Sequence, residues 1–488
     1  MIFAAILGII LIAVLGFMGR RGSLDTHSGW SIGDRGMSSV TTFFLQAGAI
    51  FTSFTFLGMS GLTVLGGVSA TYLPAYLVLG YIGMFLIGPI VWKLGSVFNY
   101  HTNADMVGHQ FGSRILTKTV AIVSVVFFVP IVQVQIVGLG TMVSFATGDK
   151  SAGTLSMVAS TVLILLFVAW AGLKGVSMTA YFKDVAMVVG LVVVLIGVMV
   201  HYAAQGGFNE VMDTMQNLML IEPGTKTYGV VWFLTSVIIS GIGLGAMTLP
   251  ESWPAVLAAK NSKSVSKNHV MLPLYSLSTL VPIVIGFYAA THLEINKGEE
   301  NSAILEVAQQ SLPGWLMGFV LIAGISCAIV PAAHCVLSIA TLISSNLVPQ
   351  DFLPERRLLV GKGSSAVILL LSLGLAILRP DLMANLYLLT YAGLVQLAPA
   401  NILSCTKTSF INGKGILAGI LVGVGIVIAF TITGFHLWGM NNGIPAIVAN
   451  LAVMVIVSSL TGKATRPDIA ASANQGSATS TAAKVPIH

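Results

Sequence analysis

Long apolar stretches separated by short polar segments run along almost the whole chain. A helix needs about 20 apolar residues to cross a bilayer. Thirteen stretches come near this length, and we number them spans 1 to 13 in chain order: 2-18, 38-62, 70-97, 115-146, 152-171, 177-204, 227-257, 269-292, 314-347, 358-378, 382-404, 414-434 and 443-462. The pattern predicts an all-α polytopic membrane protein with about thirteen transmembrane helices.

Composition agrees with a membrane location, since 56% of the 488 residues are hydrophobic and only 8% are charged. Such a balance excludes a soluble domain of this size. The first span has neither a basic segment before it nor a small-residue cleavage site after it, so we expect it to be retained. Cys327, Cys335 and Cys405 all lie in apolar segments and suit packing better than a disulfide or a metal cluster.

Basic residues predict the orientation, because cytoplasmic loops collect Lys and Arg. With the N-terminus outside, nineteen of the 23 Lys and Arg residues, Lys183 among them, fall on the cytoplasmic side. The four on the outer side are Lys150, Lys226, Lys297 and Arg379. The sequence therefore predicts an outside N-terminus and a cytoplasmic C-terminus.

Charged side chains inside a membrane are rare and usually functional. The sequence places no carboxylate in the middle of a span. Asp184, at the start of span 6, and Glu251, at the end of span 7, come nearest, and we expect both to be helix-end residues that face the cytosol, the alternative for each being a proton relay. No intramembrane Lys or Arg is expected as a fixed partner for an anion.

Spans 2 and 7 carry features that interrupt a helix. Span 2 contains a cluster of glycines among Ser and Thr, and span 7 has three glycines in its middle and two prolines toward its end. Irregular backbone survives in a bilayer only where protein, an ion or a water-filled cavity meets it. Span 7 comes five spans after span 2, so the two cross the membrane in opposite directions. Two broken helices in this relation predict a five-plus-five inverted repeat around a binding site. The alternative is that the small residues only allow close helix packing.

These features divide the chain into parts with different expected roles. Short surface helices are expected in the two longer outer connections, 205-226 and 293-313. The parts are a first span with its entry loop at 1-37, repeat halves at 38-204 and 205-404, two peripheral spans at 405-463, and a disordered cytoplasmic tail at 464-488.

Motifs for other classes of protein are missing from the sequence. It has no phosphate-binding loop, no H-E-x-x-H and no nucleophile with a matching base, so neither an enzyme nor a cofactor is expected. It also has no basic run interleaved with aromatics that would bind nucleic acid.

Four segments, in this order along the chain, resemble motifs of the sodium:solute symporter family: Trp30–Arg35, Phe56–Gly61, Gly172–Val176 and Leu394–Ala400. Asp34 departs from this pattern, because it stands where the family has a glycine. The resemblance implies a LeuT-type fold that carries a small organic solute with a cation across the plasma (inner) membrane of a bacterium. Three further segments look most like the bacterial permeases for lactate, pyruvate and similar monocarboxylates: Phe182–Asp184, Leu272–Ser276 and Val330–Ala333.

The family's sodium site, formed by carbonyls of the first broken helix and hydroxyls of span 9, corresponds to Gly48, Phe51, Thr52, Cys327, Val330 and Pro331. Val330 and Pro331 offer no hydroxyl, although Pro331 frees the carbonyl of Cys327. An unperturbed histidine titrates near neutrality, so His334 offers proton coupling instead, and its ordinary role would be a neutral hydrogen bond between helices. The coupling ion stays open between Na⁺ and H⁺.

Polar side chains on spans 2, 4, 7 and 11 are the candidates for solute contact. Each of them alone is more often a packing hydrogen bond than a ligand. They are Thr52, Ser53, Thr55, Gln133, Gln135, Ser240, Tyr391, Gln396 and Asn401.

We expect cation-coupled import of a small organic solute, a monocarboxylate, by a monomer or a weak homo-oligomer whose partners are solute, cation and lipid. An amino-acid symporter of the same fold is the main alternative. A transporter-like sensor and a passive channel are alternatives of a different class.

Overall fold

The computed structural model describes residues 2-19, 26-205, 216-225, 227-349, 354-379, 381-406 and 410-462. In these ranges the chain forms helices and no strand. Nine helical segments of this part are long and apolar enough to cross a membrane, judged by length and composition. Three shorter apolar helices accompany them, at Ile6–Met18, Ser39–Ile50 and Val230–Gly245.

Each of the thirteen predicted spans lies on a helix. Spans 1 to 6 correspond to Ile2–Met18, Ser39–Ile50 with Met59–Gly66, Tyr72–Phe98, Arg114–Thr147 and the long helix Lys150–Gln205, which holds both span 5 and span 6. Spans 7 to 13 correspond to Val230–Gly245 with Ser252–Ala258, Ser262–Ser276 with Leu280–His292, Gly314–Leu342, Pro354–Leu378, Met383–Leu394 with Ala398–Ser404, Gly413–Thr433 and Gly443–Thr461.

The long helix turns sharply at Gly172, where span 5 meets span 6. Gly172 has φ 54° and ψ −156°, a conformation that L side chains rarely adopt. A Cβ at this position would also lie 2.9 Å from the carbonyl oxygen of Trp30. Trp30 is held here because its indole N–H donates to the carbonyl of Val168 at 2.9 Å. Both the turn and the close approach therefore require glycine.

Spans 2 and 7 are broken, as predicted. Span 2 stops at Ile50, passes through extended backbone at Phe51 (φ −88°, ψ 102°) and resumes as a π-helical turn, Phe54–Gly58. Span 7 stops at Gly245 and resumes at Ser252, and Met247 between them has φ 53°. A left-handed non-glycine residue is strained and persists only where its surroundings hold it.

No glycine of span 2 lies at Phe51, where the first helix ends, and only Gly58 belongs to the π-helical turn that follows. Most of the glycines lie where another helix approaches closely: a Cβ on Gly48 would meet the Cβ of Ala180 at 2.9 Å, and one on Gly61 would meet the carbonyl oxygen of Glu300 at 2.5 Å. Close packing thus accounts for these small residues, while the irregular backbone begins at Phe51. Close helix packing therefore explains most of the glycines, whereas the predicted break of the helix applies to the backbone from Phe51 onward.

Burial separates central spans from peripheral ones. In the most apolar stretch of spans 9 and 11, 78% of the residues are buried inside the protein, whereas in that of spans 12 and 13 the share is 33%. Spans 12 and 13 pack mainly on each other. The domain boundaries drawn from the sequence remain a prediction.

Short helices cover the ends of the bundle at His27–Ile32, Asn103–Gln110 and Ala303–Ser311. The last of these confirms a short helix in the connection 293-313. In the connection 205-226, a 3-10 turn occupies Gln216–Met219, and 206-215 lie outside the described residues. The predicted disordered tail, 464-488, also lies outside them.

Candidate functional site

A lysine side chain occupies the end of the first half of span 2. The ammonium of Lys183 donates to the carbonyl oxygen of Phe51 at 2.6 Å and approaches that of Gly48 at 3.4 Å. These carbonyls end the helix Ser39–Ile50, and a helix C-terminus carries partial negative charge that favours a cation. The side chain of Lys183 is fully buried.

Lys183 forms an ion pair with the next residue, Asp184, at 2.5 Å, and both side chains are fully buried. The contact is an ion pair rather than an aligned hydrogen bond, because neither carboxylate oxygen accepts a hydrogen bond of normal geometry from the described residues. The Tyr275 hydroxyl lies beside the carboxyl group and donates to the main-chain carbonyl of Asp184 at 3.4 Å.

Three sequence expectations are therefore wrong. Lys183 is not on the cytoplasmic surface, Asp184 does not face the cytosol, and an intramembrane lysine does exist. The reason is the turn at Gly172, from which span 6 begins. Lys183 lies eleven residues beyond it, which at 1.5 Å per residue is about 16 Å along the helix, roughly half a bilayer core.

Span 9 provides the opposite wall. Cys327 and His334 lie within electrostatic range of Lys183, while Val330 and Pro331 are buried without a side-chain donor or acceptor. Neither ring nitrogen of His334 has a hydrogen-bond partner among the described residues. The interhelical hydrogen bond that would be the ordinary role of this histidine is not formed.

The unwound segment of span 2 collects several predicted polar residues. The hydroxyl of Thr52 lies 2.7 Å from that of Tyr387, and the hydroxyl of Ser53 donates to Oε1 of Gln135 at 2.7 Å. The hydroxyl of Thr55 accepts from the main-chain N–H of Thr52 at 3.4 Å. Tyr387 was missed in the sequence, although it lies one helical turn before the predicted Tyr391.

Other candidates point elsewhere. The amide of Gln133 donates to the carbonyl of Arg379 at 2.9 Å, at the end of span 10. Gln396 is held by Asn450 on peripheral span 13, whose amide donates to the Gln396 carbonyl at 2.9 Å and side-chain oxygen at 3.2 Å. These hydrogen bonds turn both glutamines away from the break of span 2.

Tyr391 and Ser240 lie in the buried region near span 7. The ring of Tyr391 packs edge-on against Tyr76 with centroids 5.2 Å apart. Ser240 is fully buried, and its hydroxyl has no hydrogen-bond partner among the described residues.

The break of span 7 is held by side chains from outside it. The amide of Asn401 donates to the carbonyls of Ala246 and Met247, both at 3.0 Å, and the indole of Trp253 donates to Met247 at 2.8 Å. Glu251, at the end of the break, is buried, and its Oε2 has no hydrogen-bond partner in the described part of the chain. The expectation that Glu251 faces the cytosol is wrong, because its side chain is buried and lies near the tyrosines Tyr81, Tyr387 and Tyr391 of other spans.

A cavity of about 740 Å³ opens at the end of the bundle where spans 3, 4 and 9 meet short helices. Its wall includes Arg114, Lys118 and Arg357, with Asp105 as its acidic side chain. Asp105 is already engaged, because it accepts from the main-chain N–H of His101 at 2.8 Å and of Thr102 at 3.0 Å. With three basic side chains and one carboxylate on its wall, the cavity is electropositive.

Two histidines close one side of this cavity. His27 and His101 stack with ring centroids 5.4 Å apart, His27 contacts the Ser344 hydroxyl at 2.8 Å, and His101 contacts the Ser31 hydroxyl at 3.0 Å. Burial, aided by the charge of Arg357, lowers the pKa of each histidine to about 4. Both rings are neutral at neutral pH.

This chain is similar in sequence to several bacterial transport proteins over almost its whole length. The uncharacterized symporter YhjB of Bacillus subtilis is 29% identical over 480 residues, covering 94% of this chain and 97% of that protein. A monocarboxylate transport permease protein of Rhizobium johnstonii is 27% identical, covering 92% and 95%. A sodium/proline symporter of Staphylococcus aureus is 23% identical, covering 93% and 91%.

Solved structures agree on the fold. A Na⁺-coupled sialic acid symporter, captured in a substrate-bound outward-open state, superposes with a TM-score of 0.79 over 96% of this chain and 98% of its own, at 14% identity. A nucleobase-cation-symport-1 family transporter gives 0.57 over 93% and 99%, also at 14% identity. These likenesses confirm the LeuT-type fold with two broken helices.

The family model described as "Sodium:solute symporter family" matches residues 30–434. The protein is thus a multi-pass transporter of the plasma membrane that couples movement of a solute to a cation, and it is not an enzyme. This chain belongs to the sodium:solute symporter family.

Proposed function

We propose that this symporter imports a small monocarboxylate anion, such as lactate or pyruvate. The observation that carries the proposal is the near full-length similarity to the Rhizobium monocarboxylate transport permease protein. It agrees with the three segments that look most like monocarboxylate permeases.

The electropositive cavity supports an anionic solute. Three basic side chains against one engaged carboxylate attract anions and raise their local concentration in this cavity. In the predicted orientation, with the N-terminus outside, the cavity faces the cytosol. It would receive the anion on release.

The solute would lie beside the unwound segment of span 2. Thr52, Ser53, Thr55, Gln135 and Tyr387 supply hydroxyl and amide groups there. The main-chain N–H groups that begin the resumed helix are already engaged, that of Ser53 by Oε1 of Gln135 and that of Phe54 by the Thr52 hydroxyl, both at 3.2 Å, so side chains would hold the solute. Buried Ser240 and Tyr391 are further candidates on the second repeat, to which Tyr387 also belongs.

Exchange in proteoliposomes tests the solute. Vesicles loaded with unlabelled lactate, pyruvate, acetate, proline or alanine should each be offered labelled lactate, with no ion gradient. We expect lactate and pyruvate to drive label inward and proline to leave it at the level of empty vesicles. Exchange of labelled proline without exchange of any monocarboxylate would overturn the proposal.

An amino-acid solute is the second candidate, because the Staphylococcus sodium/proline symporter also matches over most of both chains. The same experiment with labelled proline separates the two. A passive channel is tested by accumulation, since only a coupled transporter concentrates its solute above the outside level.

A further inference from the structure

The place where the family resemblance puts a sodium ion holds a lysine ammonium in this chain. The carbonyl oxygens of Gly48 and Phe51, expected as sodium ligands, receive the ammonium of Lys183 instead. Across from them, Val330 and Pro331 bring no hydroxyl. A sodium ion at these carbonyls would meet a positive charge already bound there, so the residues present do not fit it.

Asp184 completes the arrangement. Its carboxylate pairs with Lys183 at 2.5 Å, and with both groups buried the pair has no net charge. The groups that face this pair come from several elements: Tyr81 of span 3, Tyr275 of span 8, and Cys327 and His334 of span 9. None of these four carries a negative charge at neutral pH that could replace Asp184 as partner of Lys183.

We propose that Lys183 is a tethered cation that takes the place of sodium, and that Asp184 takes up the coupling proton, so that this protein is an H⁺-driven symporter. The step is simple in charge and atoms. A proton from water binds one oxygen of the Asp184 carboxylate, and Lys183 stays an ammonium with its charge no longer compensated. A monocarboxylate anion then restores neutrality, and proton and anion leave together on the other side.

This scheme rests on the proposed anionic solute and explains how the solute and the proton would assist each other. Protonation of Asp184 favours the anion, and by linkage the anion favours protonation by the same factor. The transported pair is neutral, so we expect one H⁺ per anion and no net charge movement.

Other titratable groups suit the role less well. Protonated His334 would place a second positive charge near Lys183. Glu251 lies in the other broken helix, among Tyr76, Tyr81, Tyr387 and Tyr391, and forms no ion pair within the described ranges. Among the ion pairs of the described residues, only that of Asp184 is fully buried, so only its protonation would release the charge of a buried cation.

Ion dependence of the wild-type protein is the first test. Labelled lactate uptake should be measured with an inward pH gradient in potassium or choline buffer, and with an inward Na⁺ gradient at equal pH. We expect the pH gradient alone to accelerate uptake by at least about tenfold and the Na⁺ gradient to have no effect. Acceleration by Na⁺ alone would overturn the inference while exchange would still uphold the monocarboxylate proposal.

The second test uses the pH profile of lactate exchange. Wild-type affinity should fall as pH rises, because Asp184 loses its proton, whereas Asp184→Asn should show a flat profile and lose acceleration by a pH gradient. Asp149→Asn, at an exposed loop position, is the matched control and should keep the wild-type profile. Loss of the profile in Glu251→Gln or His334→Gln, but not in Asp184→Asn, would overturn the assignment.

The third test asks whether sodium can enter once the lysine is gone. In Lys183→Ala the carbonyls of Gly48 and Phe51 and the Asp184 carboxylate face an open space. We expect saturating Na⁺ to raise the unfolding temperature of this variant by about 2–4 °C relative to choline, and to leave the wild type unchanged. Lys174→Ala, on the same helix in a half-exposed pair with Asp34, is the control and should not respond. A Na⁺ response in the wild type would overturn the inference, and this arm needs no variant to fold.

Discussion

The hydroxyl groups of Thr52 and Tyr387 lie 2.7 Å apart and join the unwound segment of span 2 to span 11. Both side chains are buried, and the ring of Tyr387 also stacks on Phe54 with centroids 4.6 Å apart. Span 2 opens the first repeat and span 11 closes the second. This contact therefore ties the two halves together at the break where the solute is proposed to bind.

Removing either hydroxyl should weaken this contact between span 2 and span 11. Thr52→Val removes this bond from the buried Tyr387 hydroxyl, and Tyr387→Phe leaves the Thr52 hydroxyl with only the main-chain N–H of Phe54, so we expect each change to cost about 1–3 kcal/mol. The double variant should lose less than the sum of the two, because both act on one bond. Thermal unfolding and the KM for lactate exchange would be measured together.

Thr431→Val is the control, since that hydroxyl bonds only to its own helix on peripheral span 12. We expect the unfolding temperature and the KM for lactate exchange of this variant to stay near the wild-type values. Strictly additive losses in the double variant would show that Thr52 and Tyr387 act independently.

Asn401 should be needed for the break of span 7. Asn401→Leu leaves the carbonyl of Ala246 without its donor and that of Met247 with Trp253 alone. An unsatisfied buried carbonyl costs about 1–3 kcal/mol, so the unfolding temperature should fall by several degrees. Asn385→Ala, at an exposed position of the same span, should change it little. Equal melting of the two variants would contradict the capping role.

Acid should loosen the contact between the short helix His27–Ile32 and span 9. The pKa values of His27 and His101 are lowered from 6.5 to about 4 by burial, so the packed state takes up protons only near pH 4. An opened state takes them up already near pH 6.5. The packed state therefore loses stability as pH falls from about 6.5 to about 4.

Hydrogen exchange of residues 27-32, corrected for the intrinsic effect of pH, measures this opening. We expect faster opening at about pH 5 than at about pH 7 in the wild type. The His27→Gln, His101→Gln double variant should show little dependence on pH. A wild-type segment equally protected at both pH values would exclude this role for the two histidines.

The orientation predicted from basic residues can be measured directly. Both Lys150 and Lys260 are exposed and lie at opposite predicted sides. In a background without the three native cysteines, Lys150→Cys should react with an impermeant thiol reagent added to whole cells, and Lys260→Cys only after lysis. The reverse pattern would place the N-terminus in the cytosol.

The sequence alone determined the fold to a large extent. Hydrophobic length is a local property, because each span must match the bilayer by itself, and all thirteen predicted spans lie on helices. The breaks in spans 2 and 7 were also predicted, since glycine, proline and small polar residues weaken a helix locally. The exact break in span 2, at Phe51 rather than at its glycines, was not.

Only the tertiary structure decided the site. Lys183 reaches carbonyls 132 and 135 residues away, and Gln133 and Gln396 turn toward spans 10 and 13 rather than toward the centre. The rotation of each helix about its own axis and the turn at Gly172 determine these contacts. The apolar pattern of a single span predicts neither of them, because both depend on which neighbouring helix each face packs against.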